Sequence, residues 1–345
     1  MKKIVALILA AAMVFALAAC GSSNSGSSTT TTQSTETTTT PAATDTASAP
    51  APVGGGKLTF TTGGESGTYY GFGTVLAGKV SDKTPTSVTA ITSGGSKANI
   101  EALEAGDAQL GFVQSDVGAY GYNGERLFEE KVDIFSTVAS LYMEQVQIVT
   151  LDPNIKSVAD LAGKNVSIGA AGSGVYFNAV DVLGAYGIDA DTGINPTYQS
   201  FGDSVEALQD GKIDAAFIVA GAPTTAVTSL AASKQVYLVS LDDEHINALI
   251  ADSPYYSKNV ISKDAYGLSE DATTVAVAAV VIARNDVDEG DVYNFLSAIY
   301  DNIDEVTAAH AKGAELDLNF AASYGSVPYH PGAVKYFAEK GITVN

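Results

Sequence analysis

Cysteine, arginine, histidine and tryptophan are scarce or absent in this 345-residue sequence. The single Cys20 excludes disulfides within the chain, cysteine-rich zinc sites and a cysteine-protease core. Three histidines leave little material for a metalloenzyme. Lys and Arg total 18 against 39 Asp and Glu, and the net charge of -21 makes the chain a poor binder of nucleic acid.

Hydrophobic residues are plentiful by contrast. They make up 46% of the sequence, so the chain can bury a substantial core. At roughly 100–200 residues per domain, the length fits about two domains.

The N-terminus has the pattern of a secretion signal. Met1-Lys2-Lys3 is followed by 16 apolar or small residues that end at Ala19, fewer than the about 20 that a membrane span needs. The stretch Leu17–Gly21 resembles a bacterial lipobox around Cys20. An ordinary signal peptide with a chance cysteine is the alternative. We predict a lipoprotein signal peptide over 1–19 and a lipidated Cys20 that anchors the chain in the bilayer, at the outer face of the cytoplasmic membrane.

The segment that follows predicts a flexible connection. Residues 20–56 consist mostly of Ser, Thr, Ala, Gly and Pro, with almost no large apolar side chains. Such a composition cannot offset the entropy of ordering by burial. We therefore predict a disordered tether between the lipidated cysteine and a folded body that begins at Lys57.

The body alternates between strand and helix patterns. The predicted strands are 58–62, 87–91, 109–113, 146–151, 165–169, 213–219, 236–241 and 274–283. The predicted helices are 68–80, 97–105, 157–161, 204–210, a single helix over 288–310, and one from the 170–174 loop to about 186. This alternation predicts an α/β protein with a mostly parallel sheet, two lobes and a cleft. Ligands of such sheets bind beyond the carboxyl ends of the strands.

Four loops lie where predicted strands end and helices begin. They are Gly63–Tyr70, Ser93–Asn99, Gln114–Asp116 and Gly169–Gly174. Glycines allow the backbone to approach a ligand, and helix N-termini suit a carboxylate or a phosphate. The spacing is neither G-x-G-x-x-G nor a Walker P-loop, so no nucleotide and no other cofactor is predicted.

In order along the chain, these and further segments resemble the TAXI-type solute receptors of tripartite TRAP transporters. The matching segments are Gly63–Tyr70, Ser93–Asn99 with Glu101–Leu103, Gly111–Asp116, Leu141-Tyr142, Asp160–Lys164, Gly172–Gly174, Asp210–Ala215, Ala220–Thr224 and His330–Ala333. The resemblance covers roughly residues 57–341. Val175 departs from it, since a polar residue is more usual there.

The resemblance implies a type II periplasmic-binding-protein fold, with two lobes, a ligand cleft and a strand hinge. Lobe 1 would comprise 57–145 and 250–345, and lobe 2 would comprise 146–249. The implied function is capture of a small carboxylate, glutamate or a related amino acid or organic acid. The receptor would deliver it to an ion-coupled TRAP membrane permease.

Both arginines, Arg126 and Arg284, lie outside the glycine loops, so backbone N–H groups and hydroxyls are expected to hold the anion. The predicted ligand-binding residues are Thr68, Tyr69, Ser96, Asn99, Gln114, Ser115, Gly172, Ser173, Gly174 and Pro223.

Several side chains allow two interpretations. Asn99 either contacts ligand or caps its own loop, and Pro223 either lines the cleft or begins a helix. Lys97 is a charge partner or a solvated lysine, and Asp116 binds an amino group or shapes a turn. The cluster 242–245 is a metal site or, as we favour, a solvated loop.

Two other functional classes share part of this pattern. A ligand sensor for a membrane signalling protein would have the same fold, and the sequence does not separate it from a transport receptor. An enzyme would need a nucleophile with a base. The sequence has no G-x-S-x-G elbow and no H-E-x-x-H motif, so we predict a protein that binds and does not catalyse.

Overall fold

The computed structural model describes residues 52–345. The predicted signal peptide 1–19, the lipidated Cys20 and all but the last residues of the predicted tether 20–56 lie outside the described residues.

Strands and helices alternate along the described chain. The strands are β1 Lys57–Thr61, β2 Ser87–Ile91, β3 Leu110–Gln114, β4 Phe135–Thr150, β5 Asn165–Ser167, β6 Asn195–Thr197, β7 Ala215–Ala220, β8 Tyr237–Leu238, β9 Ser257–Ile261 and β10 Ala272–Arg284. The helices are α1 Thr68–Lys83, α2 Ser96–Ala105, α3 Ser115–Asn123, α4 Val175–Ala185, α5 Phe201–Gln209, α6 Thr225–Ala231, α7 Asp243–Asp252, α8 Glu289–Tyr300, α9 Ile303–Ala309, α10 Leu318–Ala321 and α11 Pro331–Glu339. Short 3₁₀ turns lie at Val158–Leu161, Lys263–Ala265 and Ala311–Glu315.

All ten strands belong to one sheet. Its order is β2-β1-β3-β10-β4-β7-β5-β6, with β8 paired to β4 and β9 paired to β10. The outer trios β2-β1-β3 and β7-β5-β6 are internally parallel, whereas β10 and β4 run antiparallel to their neighbours. The two long strands therefore connect two parallel halves.

Strand β4 is much longer than the sequence predicted. It begins at Phe135 and continues through the predicted 146–151 segment as far as Thr150. Its first ten residues include Ser136, Thr137, Ser140 and Glu144, which interrupt the apolar pattern of a buried strand. Except for Ser136 these polar side chains are buried, in a stretch where β4 pairs with β10 from Phe135 to Gln145.

Separate hydrophobic clusters support the two halves. One joins β1 and β3 to α1, α8 and α11, around Phe60, Phe112 and Phe295. Another joins β5 and β7 to α4 and α7, around Val166, Leu183 and Phe217. At about 25 cal/mol per Å² of buried apolar surface, clusters of this kind supply most of the stabilisation of a fold.

The predicted single helix over 288–310 is wrong. The structure has two helices, α8 and α9, separated at Asp301 and Asn302. Asn302 has φ -132° and ψ 34°, outside the helical region, and its Nδ2 donates to the carbonyl of Ala298 at 2.9 Å. Short polar side chains compete with helical backbone hydrogen bonds in this way. The apolar periodicity continues across Asp301 and Asn302, so the sequence pattern gave no indication of the break.

The acidic stretch 242–245 starts a helix and is not a loop. Asp242 caps α7 by accepting the backbone N–H of His245 at 3.1 Å. Nδ1 of His245 lies 2.7 Å from the same carboxylate, and its ring stacks on Tyr186 at 3.6 Å. In residues 52–345 no three His, Cys, Asp or Glu side chains group as metal ligands do.

The end of the predicted tether contacts the body. Backbone N–H groups of Gly55 and Gly56 donate to Oδ1 of buried Asp291 at 2.7 and 2.9 Å. A Cβ on Gly54 would lie 2.4 Å from the same oxygen, which explains the preference for glycine there. Contacts of the folded body therefore begin upstream of Lys57.

Over residues 52–345, every helix is too short or too polar to cross a membrane.

Candidate functional site

A cavity of about 180 Å³ lies between the two halves of the sheet. Its walls come from the loops that follow β1, β2, β5 and β6, together with the ends of β3 and β7 and the middle of β4. The lining residues are Gly63, Gly64, Gly67, Thr68, Tyr69, Ser93, Gly94, Gly95, Ser96, Gln114, Glu144, Ala170, Ser173, Gly174, Val175, Gln199, Ser200, Phe201, Val219 and Ala220. Drug-sized ligands occupy about 300 Å³ or more, so this volume suits a small molecule.

Four helices begin at this cavity without a side-chain cap. The residues that precede α1, α2, α3 and α4 are Gly67, Gly95, Gln114 and Gly174, and none of their side chains accepts a helix N–H. Elsewhere, Asp242, Asp288 and His330 cap α7, α8 and α11, whereas α6 and α9 also begin without a side-chain cap. Uncapped N-termini leave N–H donors and partial positive charge available to an anion, apart from the Ala98 N–H of α2, which donates to Gly172 O.

Two buried side-chain atoms in the lining have no partner. Oε1 of Gln114 and Oγ of Ser173 make no hydrogen bond within residues 52–345, although their residues are only 2% and 8% exposed. A buried polar atom without a partner costs about 1–3 kcal/mol. Because these two atoms lie in the lining of one cavity, a polar ligand would supply what they lack.

Glu144 is the only acidic residue in the described lining of the cavity. The same lining contains no Lys, Arg or His. The Tyr69 hydroxyl donates to Oε2 of Glu144 at 2.6 Å, and the Tyr69 ring stacks on Phe112 at 4.5 Å. Burial raises the pKa of Glu144 to about 8, against the lowering effect of the Tyr69 hydrogen bond. Burial and the nearby Glu144 likewise raise the pKa of Tyr69 well above its usual value. Both shifts favour the uncharged forms of the pair.

Hydrogen bonds join the two walls of the cleft. The Ala98 N–H at the start of α2 donates to Gly172 O at 3.1 Å, and the Ala226 N–H donates to Ser66 O at 3.1 Å. The Thr68 hydroxyl donates to Gly221 O at 2.9 Å. These bonds link residues 66–98 to residues 172–226, so the walls are in direct contact around the cavity.

Most of the predicted ligand-binding residues lie together in the cavity wall. They are Thr68, Tyr69, Ser96, Gln114, Ser173 and Gly174. Their contact with a ligand stays a prediction, since the structure contains none. The remaining four, Asn99, Ser115, Gly172 and Pro223, lie outside the lining.

These four residues have other surroundings. Nδ2 of Asn99 donates to the carbonyls of Thr62 and Phe112 at 2.7 and 2.6 Å, which ties α2 to the sheet. Oγ of Ser115 accepts the Ala278 N–H at 3.1 Å. Gly172 has φ +80° and offers its carbonyl to Ala98. Pro223 follows a cis peptide bond and precedes α6, which begins at Thr225.

The two charged candidates, Lys97 and Asp116, pair with residues outside the cavity lining. Lys97 forms an ion pair with Glu101, one turn along α2. Oδ2 of Asp116 accepts Nδ2 of Asn178 at 2.9 Å, at the start of α3. Burial raises the pKa of Asp116 to about 7. Asp116 therefore links α3 to α4 behind the cavity wall.

The sequence interpretation missed Glu144, Gln199, Ser200, Phe201 and Val219. The sequence contained a signal for Glu144, because an acidic residue within an apolar run often has a function. It was missed because the predicted strand began at residue 146, after Glu144. Ser200 caps α5 by accepting the Asp203 N–H at 3.2 Å, a pattern readable as an N-cap. Phe201 lies 3.5 Å from a Cβ built on Gly67, on the opposite wall, and only the tertiary fold places it there.

Comparison with known proteins agrees with this architecture. The NMT1-like family matches residues 60–341. MatC from Rhodopseudomonas palustris, solved with bound malate, is 15% identical over 83% of this chain and 96% of its own, with a TM-score of 0.53. A periplasmic transporter is 14% identical over 84% and 99%, with a TM-score of 0.50. The Escherichia coli periplasmic aliphatic sulphonate binding protein SsuA is 17% identical over 84% and 94%, with a TM-score of 0.45. The predicted periplasmic-binding-protein-like α/β fold is confirmed.

Proposed function

The chain belongs to the NMT1-like family, and on that premise we propose that it is an extracytoplasmic solute-binding protein that captures a small carboxylate. One observation carries the proposal. Four uncapped helix N-termini surround a cavity whose wall also holds the unpartnered Gln114 Oε1 and Ser173 Oγ. Helix N-termini favour negative charge, and the small volume favours a small molecule.

Capture is proposed to occur by closure of the two walls. A ligand shifts a protein toward the closed form only if it contacts both walls, because equal affinity for both forms shifts nothing. Here Ser96 and Gln114 come from one half of the molecule, and Ser173 and Gly174 come from the other. The bonds from Thr68 to Gly221 and from Ala98 to Gly172 would form as the walls meet.

The cellular setting is part of the same proposal. The lipobox-like segment before Cys20 supports lipid anchoring at the outer face of the cytoplasmic membrane. The TAXI-like segments support delivery of the solute to an ion-coupled TRAP permease. We propose lobe 1 as 57–145 with 250–345, and lobe 2 as 146–249. Co-purification of the tagged full chain with TRAP membrane subunits tests the partner, and recovery of an ABC permease instead would contradict it.

Ligand binding is tested first on the full chain, purified in detergent so that an acyl anchor is tolerated. Native mass spectrometry would detect and release a co-purified small molecule. Calorimetric titration with glutamate, glutamine, malate and other small carboxylates follows, since the absence of Trp weakens intrinsic fluorescence. We expect one carboxylate to bind one-to-one. A chain that binds neutral or cationic solutes and no carboxylate would contradict the proposal.

A further inference from the structure

An ion pair joins the two halves of the molecule outside the ligand cavity. Helix α3 follows β3, in the half that contains β1 and β2, and α4 follows β5, in the half that contains β6 and β7. Arg126, just beyond the end of α3, donates from Nη1 to Oδ1 of Asp181 on α4 at 2.8 Å. Neither residue lines the cavity. The pair therefore links the halves without contacting a ligand in the cavity.

The guanidinium of Arg126 also lies against aromatic rings from both halves. Its Cζ is 5.2 Å from the ring centre of Tyr120 on α3 and 5.5 Å from that of Phe177 on α4. Phe177 is 1% exposed and belongs to a hydrophobic cluster with Ile100 and Val117 of the β3 half. Cation–π attraction is stronger where the cation is desolvated. Contact between the halves therefore strengthens the hold on Arg126.

A buried chain of hydrogen bonds holds the partner carboxylate in place. Oδ2 of Asp181 accepts the Tyr256 hydroxyl at 2.9 Å. That hydroxyl accepts Nδ2 of Asn178 at 2.9 Å, and the same Nδ2 donates to Oδ2 of Asp116 at 2.9 Å. Asn178 and Asp116 are fully buried, and Tyr256 is nearly so. Because Asp181 is already oriented, it loses little side-chain freedom when Arg126 binds it.

The backbone of Arg126 is strained. Its φ is +57°, and within residues 52–345 every other residue with a positive φ is a glycine. Side chains other than glycine adopt this left-handed region at a cost, and such strain persists only where the surrounding contacts impose it. The contacts of the guanidinium with α4 are suited to impose it here.

We propose that Arg126 and Asp181 form a clasp that holds the two halves closed from outside the ligand cavity. The inference rests on the proposed function, in which capture occurs by closure. Opening the cleft separates Arg126 from Asp181 and Phe177 and returns the guanidinium to water. No ligand atom takes part, so the clasp favours the closed form equally for every ligand. Arg126 is thus a positioning residue that raises affinity and leaves selectivity unchanged.

The first test is calorimetric titration of the full chain with the small carboxylates named above. In Arg126→Gln, we expect the dissociation constants of all carboxylates that bind to rise by one common factor, roughly fivefold or more. Arg284→Gln is the matched control, because Nε of Arg284 donates to nearby Asp286 in the same half at 2.9 Å. It should change none of them. Unchanged affinities in Arg126→Gln, or a changed order of preference among the carboxylates, would overturn the clasp.

The partner residue gives an independent check. Asp181→Asn should weaken binding by a similar factor. The double variant Arg126→Gln/Asp181→Asn should bind about as well as the weaker single variant, because both substitutions remove the same contact. Effects that multiply in the double variant would show that the two residues act separately, which would overturn the clasp.

The second test measures closure without a ligand. Spin labels are placed on Glu104→Cys in α2 and Glu206→Cys in α5, both exposed, in a chain whose Cys20 is replaced by Ser. The distribution of distances between the labels gives the closed fraction. Arg126→Gln should lower this fraction, and Arg284→Gln should not.

The label distances also separate the inference from the proposed function. A closed fraction unchanged in Arg126→Gln would show that the contact with Asp181 persists in the open form, and would overturn the clasp. A closed fraction that falls in Arg126→Gln, in a chain that binds no carboxylate, would support the clasp and remove the proposed function.

Discussion

Gly174 lies directly against the side chain of Gln114, across the cleft. A Cβ atom built on Gly174 would lie 1.8 Å from Oε1 of Gln114 and 2.9 Å from Oγ of Ser96. The backbone of Gly174 has φ -69° and ψ -23°, which alanine adopts without strain. Glycine is therefore needed here for the approach of the two walls and not for backbone freedom.

Gly174→Ala should impair closure and leave each half folded. We expect ligand affinity to fall at least tenfold in calorimetry, because the methyl group holds the walls apart. Gly184→Ala is the matched control in the same helix, since no atom lies within 4 Å of its Cβ position. It should retain affinity and gain up to about 1 kcal/mol of stability from helix propensity. Equal affinities of the two variants would mean that Gln114 moves aside.

Thr68→Val should weaken binding through the closed form. The variant removes the hydroxyl that donates to Gly221 O across the cleft. A hydrogen bond contributes about 1 kcal/mol, so we expect roughly fivefold weaker ligand binding in calorimetry. Thr74→Val, six residues along the same helix, loses only an exposed bond to Tyr70 O and serves as the control. Equal affinities for the two variants would exclude a role for the cross-cleft bond.

The stability of the ligand-free protein should fall as pH rises from 5 to 8. Burial raises the pKa of Asp116 from 3.8 to about 7 and that of Glu144 from 4.5 to about 8. In this window the folded state binds more protons than the unfolded state, so raising the pH favours unfolding. Each group contributes up to about 1.4 kcal/mol per pH unit.

Asp116→Asn should make the free energy of unfolding less dependent on pH. The pH dependence that remains is the part due to Glu144. Asparagine keeps an acceptor for Nδ2 of Asn178, so the variant is expected to fold. Urea unfolding at several pH values gives both slopes, and exposed Asp189→Asn is the control. A variant that loses stability with pH as steeply as the unmodified chain would show that Asp116 is ionised throughout.

Ser173→Trp should fill the cleft without unfolding the protein. Ser173 is 8% exposed, and its Cα lies 3.3 Å from the Cβ position of Gly95 on the facing wall. Small-angle scattering of the unmodified chain should show compaction at saturating ligand. The variant should show neither compaction nor binding. Unchanged affinity would remove the 169–174 loop from the site.

Local signals made much of the fold predictable. The glycine turns before Thr68 and Ser96 place two helix starts correctly to within one residue, and the 170–174 loop is followed by α4 as predicted. The Ser157–Asp160 capping box, whose two members lie three positions apart, is present at the start of the predicted 157–161 element. These features depend on residues a few positions apart, so the sequence displays them directly. Boundaries that depend on distant partners, such as the start of β4, which pairs with the end of β10, were not predictable in the same way.

The sequence by itself determined the alternating α/β order and six polar or glycine residues of the cavity wall, because caps, turns and periodicity are encoded locally. Only the tertiary structure decided that Glu144 meets Tyr69, 75 positions away, and that Phe201 faces Gly67. It also directed Asn99 and Ser115 into bonds that support the sheet. The physical reason is that the pairing of buried polar groups depends on which distant segment packs against them, and desolvation then fixes their charge.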